Sequence, residues 1–189
     1  MSTRHFQRLL LIFALAFATG AGHAASEADL VSALPHSKVT LADALRQVVK
    51  AGQQPLSAKF EFDDAAKLSL SVYAAQNESG KIASTEGVAL QEMAGSPEQG
   101  AWKPETEVFK DVPHVARAAQ QHALMSLARV SLLDVVEQAR KRQPGIVFSV
   151  TPEIKQHRPV AVVLVASHGK VTELVYNLLN GTLIQTRGL

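Results

Sequence analysis

The spacing of apolar residues predicts two similar amphipathic helices, one in each half of the chain. Residues 40–50 and 131–141 align without a gap at an offset of 91 residues, with four identities in eleven. Apolar side chains recur in each at i, i+3, i+4 and i+7, which gives one buried stripe per helix. These positions are Leu41, Ala44, Leu45 and Val48 in the first segment, and Leu132, Val135, Val136 and Ala139 in the second.

Both segments also begin alike. Thr40 and Ser131 are residue types that cap a helix N-terminus. Three positions later, Asp43 and Asp134 place a carboxylate in the first turn, near the positive end of the helix dipole. The sequence therefore predicts an internal repeat whose unit begins with a capped helix.

After each helix the pattern changes to the two-residue alternation of strands. Leu56–Phe62 and Leu68–Ala74 alternate apolar and polar residues on either side of an Asp63-Asp64 turn, as in an antiparallel hairpin. Strands are likewise expected at 146–150, 160–166, 171–178 and 182–184, the last following an Asn180-Gly181 turn. Because Val160–Val165 is apolar on both faces, we expect it to be a central strand.

The region between the repeats predicts a loop and a third helix. Residues 93–111 are rich in Gly, Pro and acidic residues, which is typical of a surface excursion. A helix is expected from Asp111 to about Arg129, directly before the second repeat. The predicted fold is α+β, with two units, each a helix on its own sheet of three or four antiparallel strands, joined by the extra helix. The units are residues 25–110, with a core at 40–94, and 131–189, with 111–130 as the connecting helix.

The first residues have the features of a signal peptide. Arg4 and Arg8 precede the apolar run Leu9–Ala18, and small residues surround a cleavage position predicted after Ala24. A membrane span needs about 20 apolar residues, more than this run supplies. An uncleaved N-terminal anchor is the alternative. With no cysteine in the chain, a lipid anchor on cysteine is not expected, and we predict a periplasmic protein without a membrane span after cleavage.

Charge weakens the hypothesis of nucleic-acid binding. The chain has 19 basic and 17 acidic residues, and removing Arg4 and Arg8 leaves 17 of each. A neutral mature chain lacks the net positive field that nucleic-acid binding requires, so no nucleic-acid partner is expected. Residues 53–111 hold ten acids and five bases, whereas 112–189 hold four acids and nine bases. The two halves either attract each other or present two ordinary solvated surfaces.

The residue types that carry catalysis do not occur in recognisable patterns. There is no nucleophile elbow, zinc-peptidase motif, phosphate loop or dinucleotide motif. After cleavage the histidines are His36, His114, His122, His157 and His168, and no two have the spacing that places both on one metal ion from one helix. The sequence predicts no catalytic residue, cofactor or metal site, although a site built from distant histidines stays open.

Two features are candidate contacts for a partner. Arg140, Lys141 and Arg142 end the second repeat helix, where they either complement the helix dipole or bind an acidic partner. Trp102 lies in the predicted excursion with Phe109. A tryptophan there either fills a small core or anchors an interaction.

The repeat unit resembles the PepSY domain. The resemblance rests on the helix with its Pro-Gly stop, the hairpin, and the closing strand and turn over 175–184. Residues 131–184 match along their whole length, whereas 40–94 match in helix and hairpin but lack a clear closing turn. Asn177 stands where the family favours Asp, and Asn180 where it favours Thr. The resemblance implies a small α+β unit that binds or restrains peptidases, and it carries no catalytic residues.

These observations favour a non-catalytic binding or regulatory module of the cell envelope, with a peptidase or peptide as partner. The sheet edges and a sheet face are the expected contact elements. The alternative is a small-ligand or metal sensor that uses the groove between the two units. An enzyme is the third possibility, and the sequence indicates no oligomeric state.

Overall fold

The computed structural model describes residues 26–77 and 88–189, which form one antiparallel sheet with helices on both faces. The predicted signal peptide and its cleavage position after Ala24 lie outside the described residues. The helices are α1 Glu27–Ala33, α2 Leu41–Lys50, α3 Val112–Leu127 and α4 Leu132–Arg142, and a 3₁₀ turn, Leu34–His36, follows α1. The strands are β1 Gln54–Phe62, β2 Leu68–Asn77, β3 Val88–Gly95, β4 Glu105–Val108, β5 Ile146–Lys155, β6 Arg158–Ser167, β7 Lys170–Asn177 and β8 Leu183–Gly188.

The prediction of two units with separate sheets is wrong, although the α+β class is correct. The eight strands form a single sheet in the order β4-β3-β2-β1-β5-β6-β7-β8. β1 and β5 pair at its centre, where Ala58 lies opposite Val150 and Lys59 opposite Ser149. This pairing satisfies backbone groups that two separate sheets would leave on exposed edges, so joining the sheets removes two edges.

The backbone arrangement nevertheless follows the internal repeat predicted from the sequence. We call α1–β4 the N-terminal half and α3–β8 the C-terminal half. The β1–β2 pairing has a register shift between Pro55 and Ser57, and the β5–β6 pairing has one between Val147 and Ser149, at the corresponding place. The Lys38 N–H donates to the Pro97 carbonyl at 2.9 Å, and at the corresponding place the Arg129 N–H donates to the Leu178 carbonyl at 2.9 Å. The halves are therefore related by an approximate twofold axis at the β1–β5 junction.

Helices α2 and α4 lie side by side on one face of the sheet. Each begins with a capping box, in which the Thr40 or Ser131 hydroxyl accepts the N–H of Asp43 or Asp134 at 3.2 and 3.1 Å. α2 contacts β1 and β2, α4 contacts β5 and β6, and the two helices contact each other. The predicted apolar stripes are buried here, as are the inward residues Leu56, Ala58 and Phe60 of β1.

Helix α3 packs on the opposite face. Ser57, which alternates with the inward residues of β1, donates its hydroxyl hydrogen to Gln121 Oε1 of α3 at 3.0 Å. Tyr73 lies opposite Ser57 in β2. Its ring packs edge-on against the ring of Phe109, which lies just before α3, with 4.7 Å between the ring centroids. The predicted excursion over 93–111 also holds the end of β3 and strand β4. Its alternation of Glu105, Thr106, Glu107 and Val108 suits a strand at the sheet edge.

Candidate functional site

Strands β4 and β8 are the two edges of the sheet, and their backbones are arranged alike. The Phe109 N–H donates to the Leu90 carbonyl at 3.0 Å after β4, and the Leu189 N–H donates to the Val171 carbonyl at 2.9 Å after β8. In an antiparallel ladder, backbone groups alternate between the paired strand and the open side. Thr106 and Thr186, each three residues before these bonds, therefore direct their backbone N–H and C=O groups outward.

Side-chain charge distinguishes the two edges. β4 has four residues, all exposed, and two of them are Glu105 and Glu107. β8 has six residues, and its charged residue is Arg187. Acidic side chains along an edge disfavour the approach of another strand. β8 is therefore the edge better suited to pair with an additional strand.

A cluster of three valines lies on the sheet face opposite α4, separate from the main core. Val160, Val162 and Val175 are 1%, 7% and 2% exposed, and the partly buried Leu164 packs against them. We call Val160, Val162 and Val175 the valine cluster. Since the three alternate with the core residues Ala161, Val163 and Leu174, they point away from α4.

Charged side chains lie close to the valine cluster. Lys155 Nζ is 3.0 Å from Glu173 Oε2, and Arg187 lies 3.4 Å from Glu173 Oε1. The Glu173 side chain is 8% exposed, so the cations compensate a largely buried carboxylate. Burial raises the pKa of Glu153 on the same face, Lys155 opposes that shift, and Glu173 adds to it. On this face of the sheet, the apolar side chains of the valine cluster lie beside acidic and basic side chains whose charges compensate each other.

A groove of 460 Å³ lies between the end of α4 and the start of β8. It is lined by Gln138, Lys141, Arg142, Tyr176 and Leu183. Burial raises the pKa of the Tyr176 hydroxyl, and the nearby Arg142 guanidinium acts in the opposite direction. The lining thus combines two cations and an aromatic hydroxyl with an aliphatic side chain, a set suited to a ligand that has both an apolar and an anionic part.

The structure separates the partner contacts proposed from sequence. Arg140, Lys141 and Arg142 are exposed in the last turn of α4. Arg140 lies 3.4 Å from Glu137, whereas Lys141 and Arg142 line the groove. Trp102 is 4% exposed and belongs to the main core, so its ring is not available as a surface anchor. Of the two roles considered for Trp102, the structure gives the core role.

The two halves meet directly at α2 and α4. Arg46 of α2 forms an ion pair with Glu137 of α4, and it also contacts Asp43 at 2.8 Å. A cavity of 320 Å³ lies nearby, lined by Val49 at the end of α2, Gln54 and Pro55 at the start of β1, and residues 128–133 before and within α4. The space between the halves is therefore a cavity that is partly open to solvent, since its lining residue Val49 is exposed.

The described residues bring no three His, Asp or Glu side chains together in a way that could hold a metal ion. His114 Nδ1 lies 2.7 Å from the Asp111 carboxylate, and its ring stacks on Phe109 at 5.4 Å. The interaction fixes the first turn of α3, which Asp111 caps. Within residues 26–77 and 88–189, no helix is long and apolar enough to cross a membrane.

Sequence reasoning missed the roles of Thr186, Tyr176 and Glu173. Glu173 carried a detectable signal, since it is the one charged residue in the run Val171–Tyr176. Such a residue in a strand indicates a compensating cation across the sheet. Thr186 and Tyr176 carried no comparable signal, because their roles depend on which strand is the edge and on where α4 ends.

Comparisons with known proteins assign no family. The chain matches no protein-family model and no curated protein sequence. It is similar to a crystal structure of a protein from Clostridium difficile that is provisionally described as a lipoprotein. That likeness has a TM-score of 0.40 and 15% sequence identity, covering 81% of this chain and 95% of that chain.

Proposed function

We propose that this protein is an exported, non-catalytic polypeptide-binding module of the PepSY type, which accepts an extended segment of its partner as a ninth strand at β8. The observation that carries the proposal is the β8 edge. It is six residues long and exposed beyond Leu183, and it pairs with β7 from Thr172–Gly188 to Val175–Gln185, with one register shift before the Tyr176–Leu183 pair. A free antiparallel edge supplies main-chain donors and acceptors in the order that an incoming strand needs.

The opposite edge supports the choice of β8. β4 is shorter, and its Glu107 lies opposite Glu92 of β3, so like charges face each other across the ladder. At the corresponding place Arg187 of β8 lies opposite Glu173 of β7, an attractive pair. Cross-strand pairs of opposite charge stabilise a sheet and like pairs destabilise it. We therefore expect β8 to be held in the sheet more stably than β4, and so to be the better edge for pairing with an incoming strand.

A peptidase of the bacterial periplasm is the partner class that we propose. The PepSY resemblance suggests it, and an enzyme that grips extended polypeptides can itself present such a segment. Export by the predicted signal peptide would bring the protein to that compartment. In this role the module restrains the peptidase by occupying its flexible segment and performs no chemistry of its own.

Photo-crosslinking in living cells tests the proposal. A photoreactive residue is introduced at Gln185 in the full chain, and at Glu105 in a matched control, since the two occupy corresponding positions on the two edges. We expect polypeptide adducts from Gln185 and few from Glu105. Thr186→Pro removes an outward N–H and should abolish the adducts, whereas Thr106→Pro on the other edge should leave them intact.

Equal adducts from both edges, no adducts from Gln185, or adducts that survive Thr186→Pro would each contradict the proposal. The captured polypeptide is identified by mass spectrometry, and its hydrolytic activity is assayed with and without the purified module. Inhibition that Thr186→Pro relieves supports the peptidase partner. Unchanged hydrolysis by the captured protein removes the peptidase part and leaves polypeptide binding.

The cavity between the halves favours a second candidate, a small apolar ligand. Val49, Met125 and Leu133 contribute apolar surface to its 320 Å³. Extracted envelope lipids are added in a thermal-shift assay, because a ligand that binds only the folded chain raises its melting temperature. Val49→Trp should cancel a genuine shift by filling the cavity. A melting temperature unchanged by every compound rejects this candidate.

A further inference from the structure

The three cations that end α4 have different surroundings. Arg140 lies 3.4 Å from Glu137, which also forms an ion pair with Arg46 of α2, so Arg140 belongs to the contact between the two helices. Lys141 and Arg142 instead line the groove of 460 Å³ beside β8. The α4 dipole favours positive charge at this end of the helix, but it does not require that the side chains extend into a groove. The position of Lys141 and Arg142 therefore calls for another explanation.

The lining of the groove is complementary to a carboxylate. Besides the two cations it consists of Gln138, Tyr176 and Leu183, so no acidic side chain lines it. Tyr176 is 2% exposed, and burial raises the pKa of its hydroxyl, which therefore keeps its proton and can donate a hydrogen bond. An arginine can bind a carboxylate with two parallel hydrogen bonds. Tyr176 and Leu183 also supply apolar surface for the carbon atoms that precede a carboxylate.

The other face of β8 carries a cation whose charge is already compensated. Arg187 lies opposite Glu173 of β7, and its guanidinium is 3.4 Å from the Glu173 carboxylate. Lys155 lies 3.0 Å from the same carboxylate. No carboxylate lines the groove, although Lys141 and Arg142 do. An acidic side chain of a bound strand is therefore better accommodated on the groove face of β8 than on the face that carries Arg187.

The groove adjoins one end of the edge at which a partner strand is proposed to pair. Leu183 is both a wall of the groove and the first residue of β8. Thr186 lies opposite Leu174, a core residue on the α4 side, so every second side chain of a strand paired with β8 faces the α4 side. An antiparallel ninth strand runs opposite to β8, so its C-terminal end lies beside Leu183. A side chain near that end is the one that can enter the groove.

We infer that the strand bound at β8 carries an acidic side chain near its C-terminal end, and that this side chain enters the groove and binds Lys141 and Arg142. This inference rests on the proposed function, since it requires a strand at β8. The methylene groups of the acidic side chain lie against Leu183 and Tyr176. The groove thereby selects among extended polypeptides, which the main-chain hydrogen bonds of β8 alone do not distinguish.

Selection from a displayed library of random ten-residue peptides tests the inference. Each peptide is fused to its carrier through its carboxyl end, so that only side chains supply carboxylates. The purified protein is compared with Thr186→Pro and with a charge-reversed variant that combines Lys141→Glu and Arg142→Glu. The matched control combines Lys50→Glu and Lys170→Glu, because it changes the net charge equally and neither residue lines the groove. Circular dichroism confirms that each variant is folded before use.

Peptides enriched on the unaltered protein and on the matched control should share an acidic residue toward their C-terminal end. The charge-reversed variant should instead enrich peptides that have lysine or arginine there. In a synthetic, amidated peptide of the acidic pattern, replacing the acid by glutamine should weaken binding to the unaltered protein about tenfold. The same replacement should not weaken binding to the charge-reversed variant.

The alternative outcomes separate this inference from the proposed function. Peptides that require the β8 edge, and so fail to bind Thr186→Pro, but show no acidic preference overturn the inference and leave the proposed function intact. The same holds if the charge-reversed variant keeps the acidic preference. Acidic peptides that bind Thr186→Pro undiminished overturn both, since their binding needs no strand at β8. If no peptide is enriched over the bare matrix, both fail.

Discussion

The two halves of the chain share a backbone and differ in what they present to their surroundings. Ser69 and Ser71 of β2 correspond to Val160 and Val162 of β6, and all four are at most 7% exposed. Their positions and burial are preserved, while hydroxyls in one half are replaced by methyl groups in the other. Register and burial are thus set by the shared ladder, and side-chain chemistry at the same places is free to diverge.

The two halves also differ in the residues at and beside their sheet edges. In the N-terminal half Trp102 is buried in the main core and two glutamates lie along β4. In the C-terminal half a groove lined by two cations lies beside β8, and β8 has no acidic side chain. The features on which the proposed binding surface depends therefore belong to the C-terminal half.

The largest expected effect tests whether the halves fold as one unit. Leu45 of α2 is fully buried at the junction of α2 with the sheet. Leu45→Ala removes buried methyl groups and leaves a cavity, which should lower the free energy of unfolding by about 3 kcal/mol. Because one sheet joins the halves, denaturation should remain a single transition.

Hydrogen exchange measures the same effect locally. Leu45→Ala should accelerate exchange of slow amides in β6 and β7 as much as in β1 and β2. The conservative change Leu45→Met serves as the control. Two separated unfolding transitions, or faster exchange confined to the N-terminal half, would show that the halves are independent.

The next largest loss of stability is expected at Gly145, a glycine that the C-terminal half requires and the N-terminal half lacks. Gly145 has φ of +144°, and a Cβ there would meet the Ala166 carbonyl at 2.3 Å. Its counterpart before β1 is Gln53, which has a side chain. Gly145→Ala should cost about 2 kcal/mol through strain and displacement of β6.

The matched control is Gly52→Ala, since Gly52 also has positive φ, +77°, with no atom within 4 Å of the added Cβ. It should cost no more than about 1 kcal/mol. Chemical denaturation of both variants gives the comparison. Equal losses would mean that the close approach to Ala166 carries no energetic weight.

The smallest effect compares the two helix caps. Burial raises the pKa of Asp43, but hydrogen bonds from Thr40 and the charges of Arg46 and Arg140 together hold it below its usual value. A carboxyl whose pKa is lower in the folded state stabilises the fold above the unfolded pKa, near 4. That contribution is lost as the pH falls through the folded value.

Thr40→Ala should cost about 1 kcal/mol at neutral pH, and Ser131→Ala a similar amount. Urea denaturation at pH 7 and pH 3 measures both. Because the Asp43 carboxyl is protonated to a greater extent at pH 3 than at pH 7, the loss caused by Thr40→Ala should be smaller at pH 3. A loss from Thr40→Ala that is the same at both pH values would contradict the role given to the Asp43 carboxylate.

Local elements were predictable from the sequence, and their assembly was not. The caps Thr40 and Ser131 and the apolar stripes carry their own signals, and both helices lie where the pattern places them. The prediction of a central strand at 160–166 is confirmed, since β6 lies between β5 and β7. The β1–β5 pairing has no local signal, because Ala58 and Val150 fit an edge strand as well as a central one.

The candidate site was predictable only in part, because its local features carry sequence signals and their assembly does not. Lys141 and Arg142 stood out as a run of charge, and the sheet edges were expected contacts. The groove combines the end of α4 with side chains from β7 and β8, which are more than thirty residues further along the chain. Only the fold brings Arg142 and Tyr176 together.

The ion pair between Arg46 and Glu137 has a consequence for assembly. The two residues occupy the same position of the repeated helix, and they meet across the approximate twofold axis. Two N-terminal halves joined in the same way would bring arginine against arginine, and two C-terminal halves glutamate against glutamate. Like charges at that spacing repel. The ion pair therefore favours packing of the two different halves against each other over packing of two identical halves. In this respect the two halves of one chain resemble the subunits of a heterodimer.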